Sequence, residues 1–222
     1  MELFSNVSAE LISLFRSVGS IAETCGGGHA YLIGELPLAM LMGDKTTKAE
    51  ITIAGNMIFV ADEFEKAYTV SVTEETDLSC LLPSPYSKDC VHLTQAKDGD
   101  IRKEIFSRAF SIIALTVELG HENFGQFFDP AGAISDLNSR VLRAMQRDVF
   151  VRNPVNIIRA VKMVHKYQLS LDPITERLLE TAVQSDLLKN LPDSDISLEL
   201  ELIKKEKSCK KIQQSLKDMG IV

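Results

Sequence analysis

The fold of this chain is decided near its N-terminus by YLIGELPLAMLMG at residues 31–43, followed by AEITIAG at residues 49–55. Tyr31–Ile33 and Ile51–Ile53 are short runs of branched and aromatic residues, which is typical of buried strands. Between them, Pro37 suits the first turn of a helix, where a backbone N–H would have no partner in any case. The stretch therefore predicts a strand, a tight turn, a short helix and a second strand.

An amphipathic helix is predicted ahead of this stretch, because apolar residues recur there at spacings of three and four. A run of three glycines at residues 26–28 ends the helix. Neither Gly-Lys-Ser nor Gly-Lys-Thr follows, and a strand comes next instead of a helix, so the glycines do not form a phosphate-binding loop. The apolar positions of the helix are Leu11, Leu14, Phe15, Val18 and Ile21.

Further strands are predicted over Thr69–Thr73 and Val91–Thr94, where apolar and polar residues alternate. They are joined through Pro83-Ser84-Pro85 and complete a small mixed sheet. From Ile101 onward the chain becomes strongly apolar, so this segment is expected to lie in the interior. Its apolar residues are Ile105, Phe106, Phe110, Ile112, Ile113 and Leu115.

The second half of the chain has the periodicity of helices, and Asp129-Pro130-Ala131-Gly132 marks the boundary before it. Helices are predicted over 153–167, 173–188 and 196–219. The last of them carries an apolar stripe formed by Leu198, Leu202, Cys209, Ile212, Leu216 and Met219. The predicted fold class is α+β, with a sheet-containing domain at residues 1–128 and an all-α domain at residues 129–222.

Composition places the chain among globular proteins. Its 222 residues are 45% hydrophobic and 25% charged, which is enough to bury a substantial core. No apolar run approaches the roughly 20 residues of a membrane span, and the N-terminus lacks the basic start of a secretory signal. We therefore expect a cytoplasmic protein with no membrane partner.

The cysteines and histidines indicate neither a zinc site nor a disulfide framework. Cys25, Cys80, Cys90 and Cys209 are scattered and form no Cys-x-x-Cys pair, so they are expected to be reduced. Gly-x-Ser-x-Gly and His-Glu-x-x-His are also absent, which leaves serine-hydrolase and zinc-hydrolase functions without support.

The net charge of −7 argues against a wholly basic nucleic-acid surface, and no DNA partner is expected. Basic residues gather in two stretches, which form either the solvated sides of helices or a local RNA contact. The first comprises Arg140, Arg143, Arg147, Arg152, Arg159 and Lys162, and the second comprises Lys204, Lys205, Lys207, Lys210 and Lys211.

A family resemblance is carried jointly by residues 31–55, 108–115, 129–144 and 153–173. In their order and spacing these stretches resemble the bacterial class II CCA-adding tRNA nucleotidyltransferases and poly(A) polymerases. The resemblance covers the head and neck domains and implies a polymerase-beta-like nucleotidyltransferase head followed by an all-α neck. The body and tail that usually grip tRNA have no counterpart in this sequence.

The first of these stretches resembles a Gly-Gly-x-Val-Arg-Asp motif, which in the family cradles the incoming triphosphate. Gly34 keeps the first glycine, but Glu35 stands at the second. Leu38 and Ala39 replace the arginine and the aspartate. A carboxylate at Glu35 would face phosphate oxygens, and each like-charge contact at about 4 Å costs on the order of 4 kcal/mol.

The family holds two magnesium ions with an Asp-x-Asp pair and a third carboxylate, because phosphoryl transfer needs hard oxygen ligands on both ions. The resemblance places Lys48 and Glu50 at the pair and His92 at the third position. The ammonium group of Lys48 repels a metal, and histidine is a poor magnesium ligand. Glu50 is thus the one candidate metal ligand, and no catalytic residue is assigned.

Later motifs have also lost polar members. The family has an Arg-Arg-Asp-Phe-Thr-Ile-Asn-Ala-Leu motif whose polar members contact the nucleotide. Here Arg108 remains, but Ser107, Ala109 and Ile113 replace three of those polar members.

The family's base-reading motif is Glu-Asp-x-x-Arg, and the corresponding residues here are Arg152, Asn153 and Asn156. Selection of CTP or ATP by that template is therefore not expected, although Arg159 persists beyond the motif. The vestigial nucleotide-binding positions implied by the resemblance are Gly34, Glu35, Arg108, Asn153, Asn156 and Arg159.

Three hypotheses follow from these observations. The first is a pseudoenzyme, a catalytically inactive nucleotidyltransferase-like protein that needs no cofactor and binds RNA, a nucleotide or a protein partner. The second is an interaction subunit, which pairs with a protein partner or a second copy through the helix predicted at 196–219. The alternative is an altered but active enzyme that adds nucleotides to RNA 3′ ends, with Mg²⁺ held by Glu50 and either Asp44 or Glu35.

Overall fold

The structure of the protein, a computed structural model, describes residues 4–44 and 48–221 and divides into two units. The first unit runs as far as Arg108 and resumes over Ile113–Ala131, whereas the second contains Ala109–Ile112 and continues from Gly132. The division after Ala131 thus differs slightly from the predicted boundary at 128/129.

The segment Ala109–Ile112 belongs to the second unit because its backbone is paired there. Phe110 forms an isolated antiparallel bridge with Ala144. The N–H of Ser111 donates to the carbonyl of Arg143 at 3.0 Å. No single point in the sequence therefore separates the two units, because this short segment belongs to the second unit although the residues on both sides of it belong to the first.

A sheet organises the first unit, and helices dominate the second. The first unit contains α1 (Ala9–Thr24), β1 (Gly28–Ile33), α2 (Glu35–Met42), β2 (Glu50–Gly55), α3 (Met57–Tyr68), β3 (Thr73–Thr76), β4 (Ser79–Pro83), β5 (Cys90–Gln95), α4 (Ile101–Ser107), β6 (Thr116–Glu118) and β7 (Phe127–Phe128). The second contains α5 (Ala133–Asn138), β8 (Val141–Leu142), α6 (Val149–Arg152), α7 (Val155–Tyr167), β9 (Ser170–Leu171), α8 (Pro173–Gln184), α9 (Asp193–Lys204) and α10 (Cys209–Asp218). Among the described residues, no helix combines the length and the apolar character that a membrane span requires.

Within residues 4–44 and 48–221, seven strands form one mixed sheet in the order β3-β4-β5-β2-β1-β6-β7. Strands β2 and β5 run parallel, and the other neighbouring pairs are antiparallel. This sheet and its helices confirm the predicted α+β fold class. The second unit adds one short parallel pair, β8 with β9, to its helices.

The central strands β1 and β2 separate two apolar clusters, because successive side chains of a strand point to opposite faces of the sheet. Leu32, Ile51 and Ile53 belong to the larger cluster, which includes the buried residues of α1 and α3. On the opposite face, Ile33 packs with Ile101 and Ile105 of α4. Helix α4 is thereby held against the face on which the polar residues of β2 also lie.

The segment after β2 differs from the prediction. Helix α3 has no counterpart among the predicted elements, and the side chain of Asn56 caps it by accepting from the N–H of Phe59 at 3.1 Å. The predicted strand over Thr69–Thr73 is wrong, because Thr69 ends α3 in the left-handed conformation and β3 begins only at Thr73. Phe106, predicted to be interior, is 46% exposed because α4 turns Ile101 and Ile105 to the core instead.

The single helix predicted over 196–219 is wrong, since α9 ends at Lys204 and α10 begins at Cys209. Ile203, Ile212 and Leu216 are all fully buried in one cluster. In a continuous helix, Ile203 and Ile212 would lie about 180° apart, because each residue turns the helix by about 100°. The break allows both residues to reach the same core, and it leaves Leu198 of the predicted stripe exposed.

We predict that Gly19→Ala destabilises the first unit. A Cβ at this position of α1 would lie on the backbone carbonyl of Leu119, which has no freedom to move away as a side chain has. The expected loss in free energy of unfolding is about 1–3 kcal/mol, the usual cost of overpacking. Urea denaturation measures it, and the neighbouring exposed variant Ser20→Ala serves as the control. An equal effect of the two variants would contradict the close packing of α1 on Leu119.

Candidate functional site

The candidate site lies where β2 begins, on the face of the sheet that carries its polar residues. Glu50 pairs in register with Ile33 of β1 and with His92 of β5. Two residues along, Thr52 and Thr94 also pair, and their hydroxyl oxygens lie 2.7 Å apart. The fold thus places Glu50 and His92 on adjacent strands, as expected for two positions of one site.

The turn between β1 and α2 comes directly against Glu50. Gly34 has φ +86° and ψ −137°, a conformation that side chains disfavour, and a Cβ there would lie 3.2 Å from Oε2 of Glu50. Glu35 is the first residue of α2 and so lies at the positive end of the helix dipole. Leu38 and Ala39, at the family's arginine and aspartate positions, are buried in the core.

Arg108 binds both carboxylate oxygens of Glu50. Its Nη1 donates to Oε2 at 3.1 Å and its Nη2 donates to Oε1 at 2.5 Å, which is the bidentate geometry of a strong ion pair. Nη2 also lies 2.8 Å from Oε1 of Glu104, one helical turn earlier in α4. One guanidinium therefore bridges two carboxylates, and all three side chains are mostly buried.

The electrostatics of this cluster favour the charged guanidinium. Burial by itself would lower the pKa of Arg108, but the hydrogen bond and charge of Glu50, followed by those of Glu104, outweigh it and raise the pKa. Within the described residues, the buried Nε of Arg108 has no hydrogen-bond partner. Arg108 is therefore a fixed cation bound to Glu50, the carboxylate that the resemblance places at a metal-ligand position.

The other two positions of the predicted metal site are not arranged as ligands. Lys48 is exposed and precedes β2. The side chain of His92 is 54% exposed, and its Nδ1 lies 3.1 Å from Oε2 of Glu75. Among residues 4–44 and 48–221, no group of three or more histidine, cysteine, aspartate or glutamate side chains is placed to hold a metal ion. Glu50 remains the only one of the three predicted positions that carries a carboxylate.

A cleft of about 640 Å³ lies elsewhere in the first unit, between β1 and the segment that follows β6. Glu23, Glu118 and Glu122 are among its lining residues, and Nδ1 of His29 lies 3.7 Å from Oε1 of Glu23. Burial, followed by the charges of Glu118 and Glu23, raises the pKa of Tyr31 in the same cleft. Its negative lining makes the cleft unsuitable for phosphate groups.

In the second unit, the positions of the base-reading motif have structural partners. The side chain of Asn153 accepts from the N–H of Val155 at 3.2 Å, at the start of α7. Asn156 is buried, and its Nδ2 donates to the carbonyl of Val149 at 3.1 Å. Arg152 is half-exposed and lies 3.7 Å from Asp148. Both amides thus hydrogen-bond to the local backbone, but only Asn156 is buried, whereas Asn153 is exposed.

Arg159 takes part in an ion-pair cluster around the buried carboxylate of Glu199 in the second unit. Its Nε donates to Oε1 of Glu199 at 2.6 Å, and Nζ of Lys162 lies 3.4 Å from Oε2 of the same carboxylate. Glu199 is buried, so its negative charge needs such compensation. The two basic residues therefore connect α7 to α9.

A second cluster surrounds Asp136, which is also buried. It accepts from Ser111 Oγ at 2.6 Å and from Nε and Nη2 of Arg143, whose Nη1 donates to Asp172 at 2.9 Å. The hydrogen bond with Asp136, together with the charges of Asp136 and Asp172, outweighs burial and raises the pKa of Arg143. Arg143 thus pairs with Asp136 and Asp172 while about half of its side chain stays exposed.

Sequence reasoning missed Glu104, Glu75 and Glu199, although each binds a predicted site residue. For Glu104 a signal exists, because it stands four residues before Arg108 on a helix. Glu75 and Glu199 carry no such signal. They meet His92 and Arg159 only through the pairing of strands and the packing of helices.

The fold is that of a nucleotidyltransferase-type head followed by a helical neck. No protein-family model matches the chain. Its sequence is 24% identical to the A-adding tRNA nucleotidyltransferase of Aquifex aeolicus, over 80% of this chain and 23% of that protein. It is 27% identical to the CC-adding tRNA nucleotidyltransferase of Geobacter sulfurreducens, over 81% of this chain and 42% of that protein.

Solved structures agree with these sequence matches. A Thermotoga maritima CCA-adding enzyme complexed with tRNA superposes with a TM-score of 0.90 and 24% identity, over 99% of this chain and 53% of that one. A tRNA-processing enzyme in an apo form gives 0.86 and 25% identity, over 97% of this chain and 58% of that one. The resemblance seen in the motifs is confirmed, and the chain is related to the bacterial tRNA nucleotidyltransferases over their head and neck region. It spans less than two thirds of the length of each of these relatives.

We predict that Glu50→Gln destabilises the protein, because the neutral amide leaves Arg108 with only one carboxylate partner. Hydrogen bonds to charged groups contribute about 1.5–3 kcal/mol, and a loss of about that size in the free energy of unfolding is expected. The control is Asp98→Asn, which removes an exposed carboxylate that pairs with Lys103 at 3.0 Å and should change stability little. Urea denaturation at neutral pH compares the two, and equal effects would contradict the role given to the Arg108 ion pair.

Proposed function

We propose that this chain keeps the fold of a tRNA nucleotidyltransferase head and neck without its catalysis, and that it acts by binding RNA. The observation that carries the proposal is the bidentate ion pair of Arg108 with Glu50. Of the three positions that hold metal ions in the family, only Glu50 carries a carboxylate, and Arg108 already binds both of its oxygens. The other carboxylates considered as ligands, Asp44 and Glu35, lie outside those three positions, whereas two-metal phosphoryl transfer needs carboxylate oxygens on both ions.

A divalent cation cannot bind Glu50 in the manner of the family without displacing Arg108. At a separation of about 4 Å and an effective dielectric of about 20, the repulsion between a divalent ion and the guanidinium is on the order of 8 kcal/mol. Mg²⁺ also requires nearly octahedral oxygen coordination, to which Lys48 contributes nothing. Arg108 thus supplies the positive charge that a metal ion supplies in an active head.

Nucleotide binding is also disfavoured by the residues at the motif positions for the triphosphate and the base. Glu35 begins α2, where the family's tight turn receives a triphosphate, and its carboxylate opposes phosphate groups. Leu38 is buried and offers no donor. In the neck, Asn153 and Asn156 are hydrogen-bonded to backbone groups. RNA therefore suits the chain better than a mononucleotide does.

The relatives support RNA as the class of ligand. The A-adding and CC-adding relatives are named as enzymes of tRNA, and the Thermotoga maritima structure holds tRNA. An RNA-binding surface requires only exposed basic residues and shape, whereas catalysis requires several ligands in fixed geometry. Loss of the catalytic groups therefore leaves RNA binding feasible.

We predict that isothermal titration calorimetry detects no magnesium-dependent binding of ATP or CTP to the purified chain. The measurement is made with and without excess Mg²⁺, and Glu50→Ala is titrated alongside. Tight magnesium-dependent binding that disappears in Glu50→Ala would overturn the proposal and favour the altered but active enzyme.

We further predict that the chain incorporates no labelled CTP or ATP into an RNA primer in the presence of Mg²⁺ or Mn²⁺. The same protein sample should retain the primer in a gel-shift assay, because binding does not depend on the lost metal ligands. Metal-dependent extension would refute the absence of catalysis, and a complete lack of primer binding would refute the RNA-binding role.

A further inference from the structure

A cluster of lysines occupies the end of α9, the following turn and the outer side of α10. It comprises six residues, Lys204, Lys205, Lys207, Lys210, Lys211 and Lys217, and we call it the lysine ridge. All six side chains are exposed. The chain as a whole carries a net charge of −7, so this cluster is a local excess of positive charge on an acidic protein.

Helix α10 separates this charge from an apolar side. Ile212 and Leu216, one turn apart, are fully buried in a cluster with Ile158 and Val161 of α7. The lysines occupy the opposite, solvent-facing side of the helix. Because the apolar side is already covered within the second unit, α10 does not offer the apolar face that a membrane-binding helix needs.

The nearby acids Glu201, Glu206 and Asp218 offset the charge of the six lysines only in part. Glu206, within the same segment, lies 3.0 Å from Nζ of Lys166. Asp218, at the end of α10, accepts from Nε2 of Gln214 at 2.8 Å. Within the part of the chain that the structure describes, none of the six ridge lysines forms an ion pair.

Two of these lysines lie where their charge destabilises their own helix. Lys210 and Lys211 lie in the first turn of α10, and no acidic residue accompanies them there. Cations are unfavourable at the N-terminal, positive end of a helix. Folding gains nothing from this placement, whereas a phosphate group would be attracted by both the lysines and the helix end.

The geometry points to the lysine ridge as the surface that contacts the RNA phosphate backbone. This inference rests on the proposed RNA-binding function and assigns a place to it. The ten residues of α10 span about 15 Å, which is long enough to follow several phosphates of a strand. Backbone contacts of this kind give affinity and strong salt dependence but no sequence preference.

The test uses a fluorescein-labelled RNA hairpin with a single-stranded 3′ end and the full chain. Binding is measured by fluorescence anisotropy over a series of KCl concentrations. The ridge variant carries Lys207→Gln, Lys210→Gln and Lys211→Gln. The control variant carries Lys66→Gln, Lys88→Gln and Lys97→Gln, which remove the same charge from exposed lysines of the first unit.

The ridge variant should bind the hairpin at least about tenfold more weakly than the wild type, and the control variant should bind as the wild type does. The slope of log affinity against log salt should fall by about 2–3 in the ridge variant, since each lost phosphate contact removes roughly 0.7–0.9. Circular dichroism checks folding, which the variant should retain because its three side chains are exposed.

Two results would overturn the inference while leaving the proposed function intact. In the first, the wild type binds the hairpin and the ridge variant binds it with the same affinity and the same salt slope. In the second, the control variant loses as much affinity for the hairpin as the ridge variant does. Competition by an unlabelled DNA duplex as effective as that by the unlabelled hairpin would overturn the assignment to RNA. Absence of wild-type binding would overturn both the ridge and the proposed function.

Discussion

The ion pair between Arg108 and Glu50 is the constraint on which the head site depends. It connects the end of α4 to the first residue of β2, and Glu104 holds the same guanidinium from one turn earlier in α4. In a two-metal site, carboxylate charge is balanced by ions taken from solvent. Here the chain balances it with its own side chain, so the charge state of the site is set when the protein folds.

The same use of basic residues recurs in the second unit. Arg143 forms ion pairs with Asp136 and Asp172, and both Arg159 and Lys162 form ion pairs with the buried Glu199. Buried carboxylates need such partners, because an uncompensated charge in the interior is costly. These members of the first basic stretch are therefore paired with carboxylates although the two arginines are partly exposed, whereas the lysines near α10 are exposed and form no ion pair among the described residues.

Much of the fold was accessible from local patterns. The strands around Leu32 and Ile51 and the helix beginning near Pro37 follow from composition and turn chemistry, and the motif order led to the correct family of relatives. The errors have physical causes. The stripe from Leu198 to Met219 satisfies helical periodicity, but only packing reveals that Ile203 and Ile212 must share one core. Thr69 alternates like a strand residue, yet it ends a helix that Asn56 had begun.

What the sequence alone determined is which chemical groups are present, among them Glu50, Leu38 and Arg108 at the positions that the resemblance aligns with the family motifs. Residue types at motif spacings are local properties, so they can be read without knowing the fold. Tertiary structure decided which groups meet. Arg108 reaches Glu50 across 58 positions of sequence only because β2 lies in the sheet that α4 covers. Whether a carboxylate binds a metal or an arginine depends on that encounter, since both cations compete for the same two oxygens.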